Sequence, residues 1–96
     1  MDDMQPKMSI DEDGDIFWQM NGQNHRVGGP ACEFANGNKL WCQFGRTHRT
    51  DGPAIEHADG NVEWRLSGHY YSFEGWLAKT TGLTDEEKVM MKLKYG

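Results

Sequence analysis

The sequence predicts a mostly β fold, an antiparallel meander of repeated β-hairpins with a short C-terminal helical cap. Three observations predict it. Landmark residues recur without gaps every 23 positions, turn dipeptides fall between apolar runs, and helix-start signals appear only near the C-terminus. Composition agrees: 12 glycines and 11% aromatic residues in 96 positions suit turns and strands built around large flat side chains.

The first seven residues read as an acidic tail. Six acidic residues (Asp2, Asp3, Asp11, Glu12, Asp13, Asp15) and Lys7 stand within the first fifteen, which accounts for the whole net charge of −5. The rest of the chain is neutral, so neither a basic nucleic-acid surface nor a chain-wide mimic of DNA is expected. An acidic end of this kind is most simply a solvated one, although Asp11 and Glu12 stay candidates for partner contact.

Residues 8–71 hold three repeat units. Asp13-Gly14, Asn36-Gly37 and Asp59-Gly60 recur, as do Trp18, Trp41 and Trp64, then Gly22, Gly45 and Gly68. His25-Arg26 and His48-Arg49 follow, then Gly29-Pro30-Ala31 and Gly52-Pro53-Ala54, with Glu33 and Glu56 completing the unit. Asp-Gly and Asn-Gly favour two-residue type I′ hairpin loops, since both central residues there take φ > 0. Two-residue loops set the register: Cys32 opposite Trp41, Cys42 opposite Ala31, Ile55 opposite Trp64, Ser9 opposite Trp18 and Glu56 opposite Glu63. Alternation then puts Ile16, Trp18, Met20, Trp41, Val62, Trp64 and Leu66 on a core face. Leu40, Cys42 and Phe44 fall on the other face, where they need either the C-terminal helices (Val89, Met90, Leu93) or a partner as cover. The two sulfurs fall on different faces, so an internal disulfide is not expected.

Residues 72–96 form the cap. Ser72 is placed to start a short helix carrying Trp76 and Leu77, and Thr84-Asp85-Glu86-Glu87 fits a capping box opening a second helix through Val89, Met90, Leu93 and Lys94.

The unit resembles a family of repeat proteins found largely in bacteriophages and other viruses, with a consensus near W-x-x-x-G-x-x-H-R-x-D-G-P-A-x-E-x-x-x-G. Trp41, Gly45, His48-Arg49-Thr50-Asp51-Gly52-Pro53-Ala54, Glu56 and Gly60 carry the resemblance, which spans about residues 8–75. The first unit departs at Gly28, where the family has Asp, and the third is truncated. The unit is also similar in length and hairpin architecture to the MORN repeat, without its Gly-x-Trp spacing. The resemblance implies the fold, a viral origin and a location in the cytoplasm of a bacterial host. Small acidic phage proteins are often host-directed, so it implies a stoichiometric inhibitor of a host protein such as a polymerase or a defence nuclease, in the manner of anti-CRISPR proteins.

Catalysis is not expected. His25, His48, Arg26 and Arg49 are the tempting chemical groups, but a catalytic residue is needed once and a corner residue in every unit. They read as structural corners, with imidazoles bonding backbone carbonyls and guanidiniums pairing with Glu33 or Glu56. Cysteines and histidines lack zinc-finger spacing, so neither metal nor cofactor is expected. No apolar run approaches a membrane span, and the N-terminus lacks a secretory hydrophobic region, so free thiols are expected. The candidate partner-binding residues are Leu40, Phe44, Arg46, Tyr70 and Tyr71, with Asp11 and Glu12. The partner is expected to be a host protein; self-assembly through exposed sheet edges, as a homodimer or a structural element, is the competing reading.

Overall fold

A computed structural model describes residues 5–96; Asp2 and Asp3 of the acidic tail lie outside the described residues. The chain is mostly antiparallel sheet. Each unit contributes a hairpin: β1 (Lys7–Ile10) with β2 (Ile16–Met20), β4 (Cys32–Glu33) with β5 (Lys39–Leu40), and β8 (Ile55–Glu56) with β9 (Val62–Leu66). Units join by β2 pairing β4 and β5 pairing β8. Three short return strands, β3 (Gln23–Asn24), β7 (Arg46–Thr47) and β10 (His69–Tyr71), fold back on β2, on β6 (Cys42–Gln43) and on β9 respectively. Two helices follow, α1 (Phe73–Lys79) and α2 (Asp85–Tyr95).

The hydrogen bonds repeat with the sequence. Trp18 N–H donates to Ala31 O and Trp41 N–H to Ala54 O, both at 2.7 Å; His25 N–H donates to Trp18 O and His48 N–H to Trp41 O, both at 2.9 Å. Adjacent units are also tied at their turns, since Asp15 and Asn38 accept the N–H of Ala35 and Ala58 at 2.8 and 2.7 Å. Each hairpin leans on the next through the same bonds, as a solenoid does.

The turn chemistry differs from the sequence expectation, and the register with it. At Asn36-Gly37, Phe34 N–H donates to Asn38 O and Gly37 N–H to Phe34 O, with Gly37 at φ +101°. That is a three-residue loop, a type I turn followed by a left-handed glycine. Asp13-Gly14 and Asp59-Gly60 close in the same way. The extra loop residue moves the register by one, and a one-residue slip changes which side chains share a face. Cys32 therefore faces Leu40, Ile55 faces Glu63, Ser9 faces Phe17, and Glu56 faces Val62 and Lys39. The Glu56–Glu63 clash does not arise. Type I′ turns do occur, at Asn21-Gly22, Phe44-Gly45 and Ser67-Gly68, where both residues have positive φ.

The molecule is a slab whose thinnest extent is 21 Å, and its apolar residues divide between two faces. Ala31, Cys32 and Cys42 are buried together with Phe17, Phe34 and Leu40 against them. This corrects two expectations. Cys42 is buried and Leu40 packs half-buried against it, and the two cysteines share one cluster. The Cys42 thiol is pushed well up by its hydrogen bond to Cys32 and by burial; both thiols are free.

The tryptophans occupy the other face, but they are covered in two different ways. Trp64, Trp76 and Leu77 form the second cluster, with Val62, Leu66, Tyr71, Phe73, Leu83, Met91 and Tyr95 around it. Ser72 caps α1 by accepting from Gly75 N–H at 3.1 Å, and Thr84 and Glu87 form the reciprocal capping box of α2. These helices cover Trp64, not the Leu40 and Phe44 side. Val89, Met90 and Leu93, one of the two covers expected for that side, are exposed. Trp18 and Trp41 are half-buried instead under Arg26 and Arg49, whose guanidinium carbons lie 4.2 and 4.0 Å from the ring centroids.

Candidate functional site

The repeated His-Arg corner is built from the backbone outward. Arg49 sets its guanidinium over Trp41, donates Nε–H to Asp51 at 2.9 Å, and donates from one terminal nitrogen to Pro53 O at 3.1 Å and Glu56 at 3.2 Å. The planar guanidinium suits this, because it can stack and reach several acceptors at once. Gly52 makes room for it. A Cβ there would stand 2.7 Å from the Arg49 guanidinium carbon. Gly52→Ala is therefore expected to cost about 1–3 kcal/mol through overpacking, read as a lowered midpoint in urea with unchanged slope. A neutral result would show that Arg49 moves aside freely.

The imidazoles do not bond carbonyls as expected. His25 Nδ1 accepts Phe44 N–H at 3.1 Å, and His48 Nδ1 accepts Ser67 N–H at 2.9 Å. Each histidine thus caps the type I′ turn of the following unit with an unprotonated Nδ1. Repetition does mark a structural role, but the bond runs in the opposite sense.

The expected partner-contacting residues separate in space. Phe44 is exposed, at 58% of its maximum, with its ring centroid 4.3 Å from that of His25. Arg46 is exposed and makes no ion pair with any described residue. Phe44 and Arg46 line one shallow depression of about 350 Å³ with Gln23, Gln43, His48 and Ser67. Leu40 is half-buried, packed against the Cys32 and Cys42 cluster. Tyr71 packs under the helices, opposite Trp64. Tyr70 is exposed beside Arg65, outside the Phe44 depression.

Asp11 and Glu12 sit on the three-residue turn, separated from the Asn21-Gly22 turn by the length of β2. Asp11 Oδ1 accepts the N–H of Asp13 and of Asp15, each at 3.0 Å. Asp11, Asp13 and Asp15 bring carboxylate oxygens within 4.8 Å of one another, but Asp11 and Asp15 are already hydrogen-bonded to the turns.

Phe44 is the unusual residue of this edge. Its φ of +49° is left-handed, which a bulky side chain rarely adopts. The corresponding positions hold Asn21 and Ser67, small polar residues better suited to turns.

Two further depressions follow the Phe44 one in series. One of about 310 Å³ shares Gln43 and His48 with it and reaches Arg26, Val27 and Asp51; another of about 490 Å³ shares Arg26 and Val27 and reaches Trp18 and His25. Together they run along the corner edge of the first two units, with Val27 exposed at 76%. Sequence reasoning missed Val27 and Arg26 here. A signal existed for Val27, a lone apolar residue where the second unit has Thr50.

Elsewhere, Glu63 is held below the usual carboxylate range by hydrogen bonds from Arg65 and His57. No helix among the described residues is long and apolar enough to cross a membrane. Comparison with protein-family models, with curated proteins and with solved structures found no match to this chain.

Proposed function

We propose that this chain is a protein-binding module, not an enzyme, and that it contacts its partner through the corner edge centred on Phe44 and Arg46. Phe44 carries the reading. An exposed aromatic in a strained backbone conformation, where sister turns use Asn and Ser, is a feature that folding alone does not favour. Aromatic and Arg side chains together are also the usual anchors of protein interfaces. The resemblance to viral repeat proteins supports a host-cell protein, such as a defence nuclease or a polymerase, as the proposed partner, blocked stoichiometrically in the host cytoplasm.

The test substitutes Phe44→Asn, which supplies the residue of the first unit's turn. Folding stability should hold or rise, because Asn tolerates the left-handed region. Affinity for a partner captured from bacterial lysate should fall by at least about 2 kcal/mol, roughly thirtyfold, as loss of an interface anchor does. Unchanged affinity with a lowered melting temperature would make Phe44 a structural residue and overturn the reading.

A second reading, self-assembly, draws on β1. It is an edge strand, exposed at every residue, with Met8 and Ile10 among the exposed apolar side chains. Sedimentation of the purified chain separates the two readings. A concentration-dependent dimer lost on Met8→Lys supports self-assembly, whereas a monomer that forms a one-to-one host complex supports inhibition.

A further inference from the structure

The two His-Arg corners are not equivalent, and the difference points to a ligand chemistry. At the second corner, Arg49 is met by two carboxylates, Asp51 at 2.9 Å and Glu56 at 3.2 Å. At the first corner, Arg26 keeps its place over Trp18 and the bond to Pro30 O at 3.2 Å, but its one ion pair, with Glu33, is long at 3.8 Å. Gly28 occupies the place of Asp51, and a Cβ built there meets nothing within 4 Å. Gly28 takes φ +87°, which Asp51 does not, so the first corner has neither the carboxylate nor the backbone path of the second. Arg26 Nε has no acceptor among the described residues, and Arg26 lines the depression of about 490 Å³.

We infer that the Arg26 corner is a binding site for a carboxylate, an Asp or Glu side chain on an acidic segment of a partner protein. The warrant is internal to the chain, because Asp51 on Arg49 shows a carboxylate completing the same stacked guanidinium. A charge-assisted bond to a guanidinium already ordered by Trp18 and Pro30 needs little further ordering of the arginine. Val27 supplies exposed apolar surface beside the charge, and Arg46 adds a second cation farther along the edge. Along this edge Asp51 is taken up by Arg49, which leaves Arg26 and Arg46 as the cationic groups open to an acidic segment. The inference deepens the protein-binding reading by naming the partner's chemistry. Its test reads Arg26 directly, so it stands or falls separately from Phe44.

The experiment follows the arginine Nε–H signals of the ¹⁵N-labelled full chain by NMR. The probe is N-acetyl-aspartic acid amide, with sodium chloride at matched ionic strength as the blank. Arg26 should shift saturably, by at least about fivefold more than Arg49, whose Nε is already occupied. Asp51→Gly should make Arg49 respond as Arg26 does. A silent Arg26 in the wild-type chain, or an Arg49 still silent in Asp51→Gly, overturns the assignment. A larger Arg26 shift with inorganic phosphate or a single-stranded oligonucleotide than with the aspartate probe also overturns it, in favour of a phosphate-bearing partner.

Discussion

Truncating Trp76 to Ala is expected to lower stability by about 3–5 kcal/mol, the cost of deleting a fully buried aromatic. Trp76 has no exposed surface, and its ring centroid lies 4.6 Å from Trp64 and 6.5 Å from Phe73. Its Nε1–H donates to Arg49 O at 3.0 Å, so one side chain joins the helical cap to the second repeat unit. α1 has only seven residues, too few to persist without tertiary packing. Losing Trp76 therefore removes the anchor of the cap as well as the apolar area. Urea titration followed by tryptophan fluorescence and by far-UV circular dichroism measures the effect. Trp41→Ala should cost less, about 2 kcal/mol, since Trp41 is half-buried and covered by one arginine. Equal losses at the two positions would mean that the cap is not the main seal of the Trp face.

What the sequence displayed depended on how local each determinant is. The repeat unit, the caps at Ser72 and Thr84 and the strand segments are set by residues a few positions apart, and they were legible. The loop at Asn36-Gly37 was legible as a turn but not as a turn type. Asn-Gly satisfies both a two-residue type I′ loop and a type I turn closed by a left-handed glycine. That ambiguity of one residue reassigned the faces, packing Leu40 against a core cluster and bringing Cys32 and Cys42 together. The dependence on pleat parity explains how correct strands came with wrong neighbours.

The candidate site was legible only in part. Phe44 and Arg46 were named for a reason that does not hold, since Phe44 is exposed because it occupies a turn, not because it faces outward on a strand. The better signal was the series Asn21, Phe44, Ser67, in which one bulky aromatic stands among turn-favouring residues. The role of His25 was hidden, because its acceptor nitrogen serves a backbone group 19 positions away. Gly28 was noted as a departure from the repeat, but its consequence required seeing Asp51 on Arg49.

Arg49→Ala is expected to cost about 2–3 kcal/mol, and Arg26→Ala roughly half as much, although the two arginines occupy the same place in the repeat. Both truncations uncover a tryptophan ring and leave a proline carbonyl without its donor. The excess at Arg49 comes from Asp51 and Glu56, which lose charge-assisted bonds of 2.9 and 3.2 Å, whereas Glu33 stands 3.8 Å from Arg26. Asp51 and Glu56 remain partly exposed and can rehydrate, which keeps the difference to about 1 kcal/mol instead of the several expected of a buried pair. Arg49→Lys separates stacking from charge. A lysine keeps the positive charge but cannot lie flat on Trp41 while reaching Asp51, Pro53 O and Glu56, so most of the loss should persist. Chemical denaturation of the three variants under identical salt measures the series. Full recovery in Arg49→Lys would make charge alone sufficient, and equal losses at Arg26 and Arg49 would remove the asymmetry on which the open first corner rests.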